Sequence, residues 1–186
     1  MDARTEARQR YCVFDTPIGA CGVAWSEHGV TRLQLPASSR SATEARLAHG
    51  AQADDPPPSI AAVIAEVQRH LAGTQVDFGS VTLDLPDVVP FHRRVYDAAR
   101  AVGWGCTTSY GDLAREIDAP GEAREVGQAL ARNPIPLIIP CHRILTSDGK
   151  LGGFSAPGGT ATKERLLALE GVRVGVDPDA PLLPGF

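Results

Sequence analysis

The chain has 186 residues, 43% of them hydrophobic, which is enough apolar content for one large domain or two small ones. Its formal net charge of −4 argues against a uniformly basic nucleic-acid-binding protein. The mean hides an asymmetry, since residues 91–175 hold eleven Lys/Arg against nine Asp/Glu and the remainder seven against thirteen, so a local DNA-facing patch stays open.

No apolar run approaches the ~20 residues that a membrane span needs. Residues 1–10 are charged where a secretory signal carries an apolar stretch, so the sequence reads as a cytoplasmic chain without membrane segments. Cys12, Cys21, Cys106 and Cys141 then read as free thiols.

In chain order, residues 11–14 and 21–25 read as two strands around the turn at Thr16-Pro17-Ile18-Gly19, and residues 30–35 alternate as a third. A helix is expected over 41–49. The stretch 51–59, with Asp54-Asp55-Pro56-Pro57-Pro58, reads as an exposed connection. Ile60, Val63, Ile64, Val67 and Leu71 have helical spacing and end at Gly73; residues 76–85 read as extended.

The composition changes at Pro86-Asp87-Val88-Val89-Pro90, which places a domain boundary there: 1–87, then 88–175, then an acidic Pro/Gly-rich tail at 176–186. After the boundary, residues 91–102 have a helical pattern broken by Gly103-Trp104-Gly105. Two short helices, 109–117 and 123–132, flank Asp118-Ala119-Pro120-Gly121. This spacing fits a helix-turn-helix and equally any other αα-hairpin.

Next comes the apolar run Leu137-Ile138-Ile139, then Pro140-Cys141-His142-Arg143. Pro140 fixes its own φ and biases Ile139 toward an extended backbone, so the run ends in a turn that presents Cys141. A neighbouring base raises the thiolate population of a cysteine, although a structural cysteine before a surface histidine has the same sequence. A loop with five glycines spans 149–159, and a helix over 162–170 is closed by Gly171. Glu170, at that helix end, reads on its own as a surface carboxylate.

Taken together, Ser109-Tyr110-Gly111-Asp112-Leu113-Ala114, Asn133-Pro134-Ile135-Pro136, Pro140-Cys141-His142-Arg143, the Gly-rich loop and Leu166-Leu167-Ala168-Leu169-Glu170-Gly171 closely resemble the alkylguanine-DNA alkyltransferases, the methylated-DNA–protein-cysteine methyltransferases. The resemblance runs from about Phe91 to Gly171, with a weaker one from Asp15 onward. It implies an α+β protein: a small strand-rich, ribonuclease H-like domain, then a mainly helical winged helix-turn-helix domain. It also implies a mechanism, in which a flipped O6-alkylguanine gives its alkyl group irreversibly to the cysteine; acceptance of O4-alkylthymine stays open.

By resemblance Cys141 is the acceptor, His142 the base acting through a water, and Glu170 the group that orients the imidazole. Tyr110 hydrogen-bonds the departing guanine, and Asn133 ties the cysteine turn to the second helix of the pair. Ser155 contacts O6, Phe154 walls the pocket where relatives often have tyrosine, and the backbone of Cys141 and Ile144 reads the guanine edge. Arg124 fills the gap left by the extruded base, and Arg132 and Arg94 are candidate phosphate contacts. Glu125, beside Arg124, stands where relatives carry a small residue.

The expected partner is double-stranded DNA bearing O6-alkylguanine, met by a monomer with no cofactor. Cys12, Cys21, His28 and His92 have no standard zinc spacing, so no metal is expected. The alternative is an alkyltransferase-like protein that binds alkylated DNA without transfer; such proteins replace the cysteine, which is present here.

Overall fold

The computed structural model describes residues 9–174; the tail expected at 176–186 lies outside the described residues. Strands β1 (Gln9–Thr16), β2 (Gly19–Ser26) and β3 (Gly29–Gln34) form an antiparallel meander. Helix α1 (Arg40–Leu47) starts at Ser39, whose side chain accepts the Ala42 N–H and so satisfies a donor that the first turn leaves free. Leu47 then packs with Tyr11 and Ala24 on one face of the sheet.

On the other face Cys21, Val23 and Trp25 meet Ile60, Val63 and Val67 of α2 (Pro58–Leu71). Cover on both faces explains why β2 is buried from Cys21 to Ser26 rather than alternating. Each such side chain taken fully out of water contributes on the order of 1.5–3 kcal/mol.

The expected exposed connection over 51–59 needs correction at both ends. Ala51–Ala53 forms β4, parallel to β1 at the edge of a sheet ordered β3-β2-β1-β4. An Ala-Gln-Ala segment carries no strand signal; the free edge of β1 recruits it. Pro58 begins α2, where the missing N–H and fixed φ of proline suit the first helical position. Residues 76–85 are not a strand: within them only Leu83 forms an isolated bridge, to Val30.

The second half is helical. It contains α3 (Pro90–Ala101), β5 (Thr108–Ser109), α4 (Tyr110–Glu116), α5 (Ala123–Ala131), a 3₁₀ turn at Cys141–Arg143, β6 (Ile144–Leu145) and α6 (Gly159–Leu169). The turn between α4 and α5 uses positive φ at Asp118 (56°) and Gly121 (93°). Val95, Tyr96 and Ala99 are the buried face of α3, and the Tyr96 hydroxyl donates to the Ala129 carbonyl of α5 at 3.0 Å.

One continuous core joins the two halves. The Leu33 N–H of β3 donates to the Pro134 carbonyl at 3.0 Å, so the sheet edge grips the segment leading to Cys141. Arg100 of α3 bonds the carbonyls of Phe78, Gly79 and Val81. Among the described residues no helix is long and apolar enough to cross a membrane.

Candidate active site

The turn at Cys141 is held from behind. Leu137 is buried and sits at φ 73°, a conformation that a bulky side chain adopts only when its surroundings impose it. The Ile139 N–H closes onto the Ile135 carbonyl at 2.9 Å. Asn133 then clamps the loop: its Oδ1 accepts from the Ile135 N–H at 2.9 Å, and its Nδ2 donates to the Ile139 carbonyl at 2.8 Å and to Cys141 Sγ at 3.2 Å.

Cys141 is buried, and that burial pushes its thiol up; the Asn133 amide, the Lys163 ammonium and the backbone N–H groups of Cys141 and His142 pull the other way without overcoming it. The thiol is therefore protonated at rest, and a thiolate has to be made by removing its proton locally.

Beside it, His142 is fully buried and its Nε2 lies 2.8 Å from Glu170 Oε1. Glu170 follows the last turn of α6, where a left-handed Gly171 (φ 78°) ends the helix. Far from being a surface carboxylate, it is buried and held by several donors. Arg143 gives Nε and Nη2 bonds of 2.9–3.2 Å, and the Gly105 N–H reaches Oε2 at 3.2 Å.

Burial raises the Glu170 carboxyl, but the His142 and Arg143 hydrogen bonds outweigh it and bring it down to about 2. With Glu170 ionised, His142 Nε2 must carry the proton it donates. Its Nδ1 is then the free base, and no protein group among the described residues bonds it. Burial also lowers the His142 imidazole, more than Glu170 raises it, so it is neutral and able to accept a proton.

Cys141 opens onto a cavity of about 690 Å³ lined by Tyr110, Arg124, Gly127, Phe154 and Ser155. That volume is in the range of small-molecule sites, roughly 300–1,000 Å³. A smaller chamber of about 140 Å³ reaches the thiol from the β3 side, past Arg32, Pro136, Phe154 and Ser155. A larger cleft, about 900 Å³ between β2, β3 and α2, is lined by no cysteine and lies away from the thiol.

Tyr110, the first residue of α4, stands close against Gly152. A Cβ there would lie 2.6 Å from the phenol oxygen, so glycine is what lets the loop close over the ring. Arg124 is exposed in the first turn of α5, at the mouth of the large cavity.

The remaining expected residues divide. The Ile144 carbonyl accepts from Lys163 Nζ at 2.6 Å. Arg132 is exposed at the end of α5. Arg94 is exposed, donates Nη1 to the Ile117 carbonyl at the end of α4 at 2.9 Å and lies over the Phe91 ring. Glu125 is exposed and faces the cleft shared with Arg94, not the cavity of Arg124. Among the described residues, the group of three metal-ligating side chains drawn within 4.8 Å is His70, His142 and Glu170, none of which was a zinc candidate in the sequence.

Two family models match the chain: "6-O-methylguanine DNA methyltransferase, ribonuclease-like domain" over residues 9–85, and "6-O-methylguanine DNA methyltransferase, DNA binding domain" over 90–172. The methylated-DNA–protein-cysteine methyltransferase of Methanothermobacter thermautotrophicus is 35% identical over 156 residues, 84% of this chain and 82% of the relative. The chain belongs to the methylated-DNA–protein-cysteine methyltransferase family.

Solved structures agree. Mycobacterium tuberculosis OGT in complex with DNA has 36% identity and a TM-score of 0.71 over 87% of this chain and 92% of that one. The O6-methylguanine-DNA methyltransferase of Pyrococcus kodakaraensis has 25% identity and a TM-score of 0.68 over 88% and 99%. For this methyltransferase the α+β architecture is thus a ribonuclease-like domain followed by a DNA-binding domain.

Sequence reasoning missed three charged or titratable residues at this site: Arg143, described above, Lys163 and His70. Lys163 is fully buried in α6, 3.4 Å from the Tyr110 oxygen, and burial drives its ammonium down to about 8 despite the attraction of Cys141. His70, in the last turn of α2, is also fully buried; burial and the neighbouring His142 push it down to about 4, against the pull of Glu170.

The buried groups fix the acid sensitivity of the fold. His70 and Glu170 both have lowered folded values, so their contribution is present at neutral pH and is lost on acidification. The window is from 6.5 to about 4 for His70 and from 4.5 to about 2 for Glu170. By linkage each is on the order of 3 kcal/mol. Urea midpoints are expected to fall steadily between pH 7 and pH 4; a flat midpoint over that range contradicts this electrostatic account.

Proposed function

We propose that this protein repairs double-stranded DNA as a monomer by taking the alkyl group of an extruded O6-alkylguanine onto Cys141, once and irreversibly. The observation that carries the reading is the thiol lining a cavity large enough to admit a base, with the buried His142–Glu170 pair beside it. His142 Nδ1 accepts the thiol proton through one water while Glu170 stabilises the imidazolium. Sγ then attacks the alkyl carbon, forming the S–C bond as the C–O6 bond breaks.

The electron pair flows into the guanine, which leaves neutral by taking a proton on its ring nitrogen. Tyr110 is the donor: Lys163 gives a hydrogen bond to the phenol oxygen, so the phenol proton points into the cavity. The Cys141 and Ile144 carbonyls read the guanine amino edge, Ser155 contacts O6, and Phe154 stacks at the wall. A thioether is a poor leaving group, so the product has no route back to the thiol.

Extruding a base costs a few kcal/mol, and Arg124 at the cavity mouth fills the space it leaves, with Arg132 nearby for the phosphates. The Arg124→Ala variant is expected to lose at least about tenfold in transfer from duplex DNA while reacting with free O6-alkylguanine base within about twofold of the parent. Single-turnover rates on both substrates test this, and equal losses on the two would remove Arg124 from base extrusion.

A further inference from the structure

His70 stands in the wrong place for an ordinary core residue. Its side chain has no exposure, and neither ring nitrogen has a hydrogen-bond partner among the described residues. Leaving two polar atoms dry is costly, and an apolar side chain would fill the position more cheaply. What distinguishes the position is its neighbour: His70 Nε2 lies 3.4 Å from Glu170 Oε1, the same oxygen that His142 Nε2 and Arg143 Nη2 meet.

The ring is boxed by aromatic groups. Trp104 meets it edge-on at 4.8 Å, Phe78 is tilted against it at 5.4 Å, and the His142 ring stands at 85° to it, 6.3 Å away. Helix α2, which carries His70, belongs to the ribonuclease-like half, while Glu170 and His142 belong to the other.

We propose that His70 is a positioning residue for alkyl transfer: a second imidazole whose Nε2 edge packs beside Glu170 from across the domain junction and, with Arg143, confines Glu170 to the rotamer in which it meets His142. This rests on the reading of His142 and Glu170 as the proton-accepting pair. The charged and titratable groups around the His70 ring are Glu170, Arg143 and His142, and the ring stays neutral: its burial, the neighbouring His142 and the Arg143 guanidinium outweigh the carboxylate. A divalent cation in this cluster is the poorer alternative, because the Arg143 guanidinium already neutralises the only carboxylate. In this arrangement the sheet domain sets the acid–base properties of a site whose reacting atoms lie wholly in the other domain.

The test is the pH dependence of the single-turnover rate on an O6-methylguanine duplex for the parent, His70→Phe, His70→Gln and His142→Ala. His70→Phe removes the polar edge but keeps a flat buried ring. It is expected to bind DNA within about twofold of the parent and to transfer about tenfold more slowly, the scale of one lost polar contact to a charged group. Its acidic limb should move to higher pH, because a carboxylate that has lost the polar edge of His70 holds the His142 proton more tightly. His70→Gln restores a polar edge, and should recover most of the rate and the original limb.

A parental rate and profile in His70→Phe would overturn the proposal, as would equal losses in the Phe and Gln variants that follow only their melting temperatures. A parental rate in His142→Ala would instead overturn the proton-accepting pair itself.

Discussion

Glu170→Ala is expected to lower folding stability by about 3–5 kcal/mol and to reduce alkyl transfer by more than about a hundredfold. The side chain is the shared acceptor for His142 Nε2, Arg143 Nε and Nη2 and the Gly105 N–H. Its removal strands a guanidinium in a site that is almost closed to water; removing one partner of a buried pair costs far more than the pair itself contributes. A domain has only about 5–15 kcal/mol of net stability, so a loss of this size lowers the melting temperature by many degrees. Glu170→Gln separates the two consequences. The amide keeps the volume and one acceptor, so the fold should survive, while the neutral group no longer stabilises an imidazolium and transfer stays slow. Urea denaturation and single-turnover transfer on both variants check this. A loss below about 1 kcal/mol in Glu170→Ala would mean that Arg143 finds solvent, and that the pocket is looser than its hydrogen bonds imply.

Cys141→Ala is expected to abolish transfer entirely and to leave affinity for alkylated duplex DNA within a few-fold of the parent. The thiol is a minor part of the cavity wall, and the Asn133 amide retains its bond to the Ile139 carbonyl when Sγ is gone, so the turn keeps its shape. Cys141→Ser is the sharper variant. It preserves a polar atom at the position of Sγ, but an alcohol is far harder to ionise than a thiol and less polarisable, so transfer should be lost there as well. Binding measured by fluorescence anisotropy, alongside transfer of a labelled methyl group, decides the matter. Residual transfer in either variant would place the acceptor elsewhere.

The cysteine turn was legible in the sequence because its chemistry is local. Pro140 closes an apolar run, and Cys141, His142 and Arg143 are consecutive. The helix pair announced itself through Asp118-Ala119-Pro120-Gly121, and the β1–β2 hairpin through its Pro-Ile-Gly turn. Glu170 was nameable only through the family pattern, since the groups that draw it inside come from α3's end and from the turn, far away in sequence.

His70 and Lys163 did leave a signal. His70 follows Val63 and Val67 by seven and three residues, and Lys163 precedes Leu166 and Leu167 by three and four, so each sits on its helix's apolar stripe. A titratable residue on such a stripe is buried by the periodicity alone; what it is buried against is fixed by tertiary packing. The short β4 had no signal at all, because the edge of β1 imposes its pairing.

Intact mass spectrometry after incubation with a duplex containing O6-methylguanine tests the central claim most directly. One added methyl group per chain, about 14 Da, mapping to the peptide of Cys141 and absent in Cys141→Ala, is the result that the account predicts. An unchanged mass despite tight binding to the same duplex would contradict it.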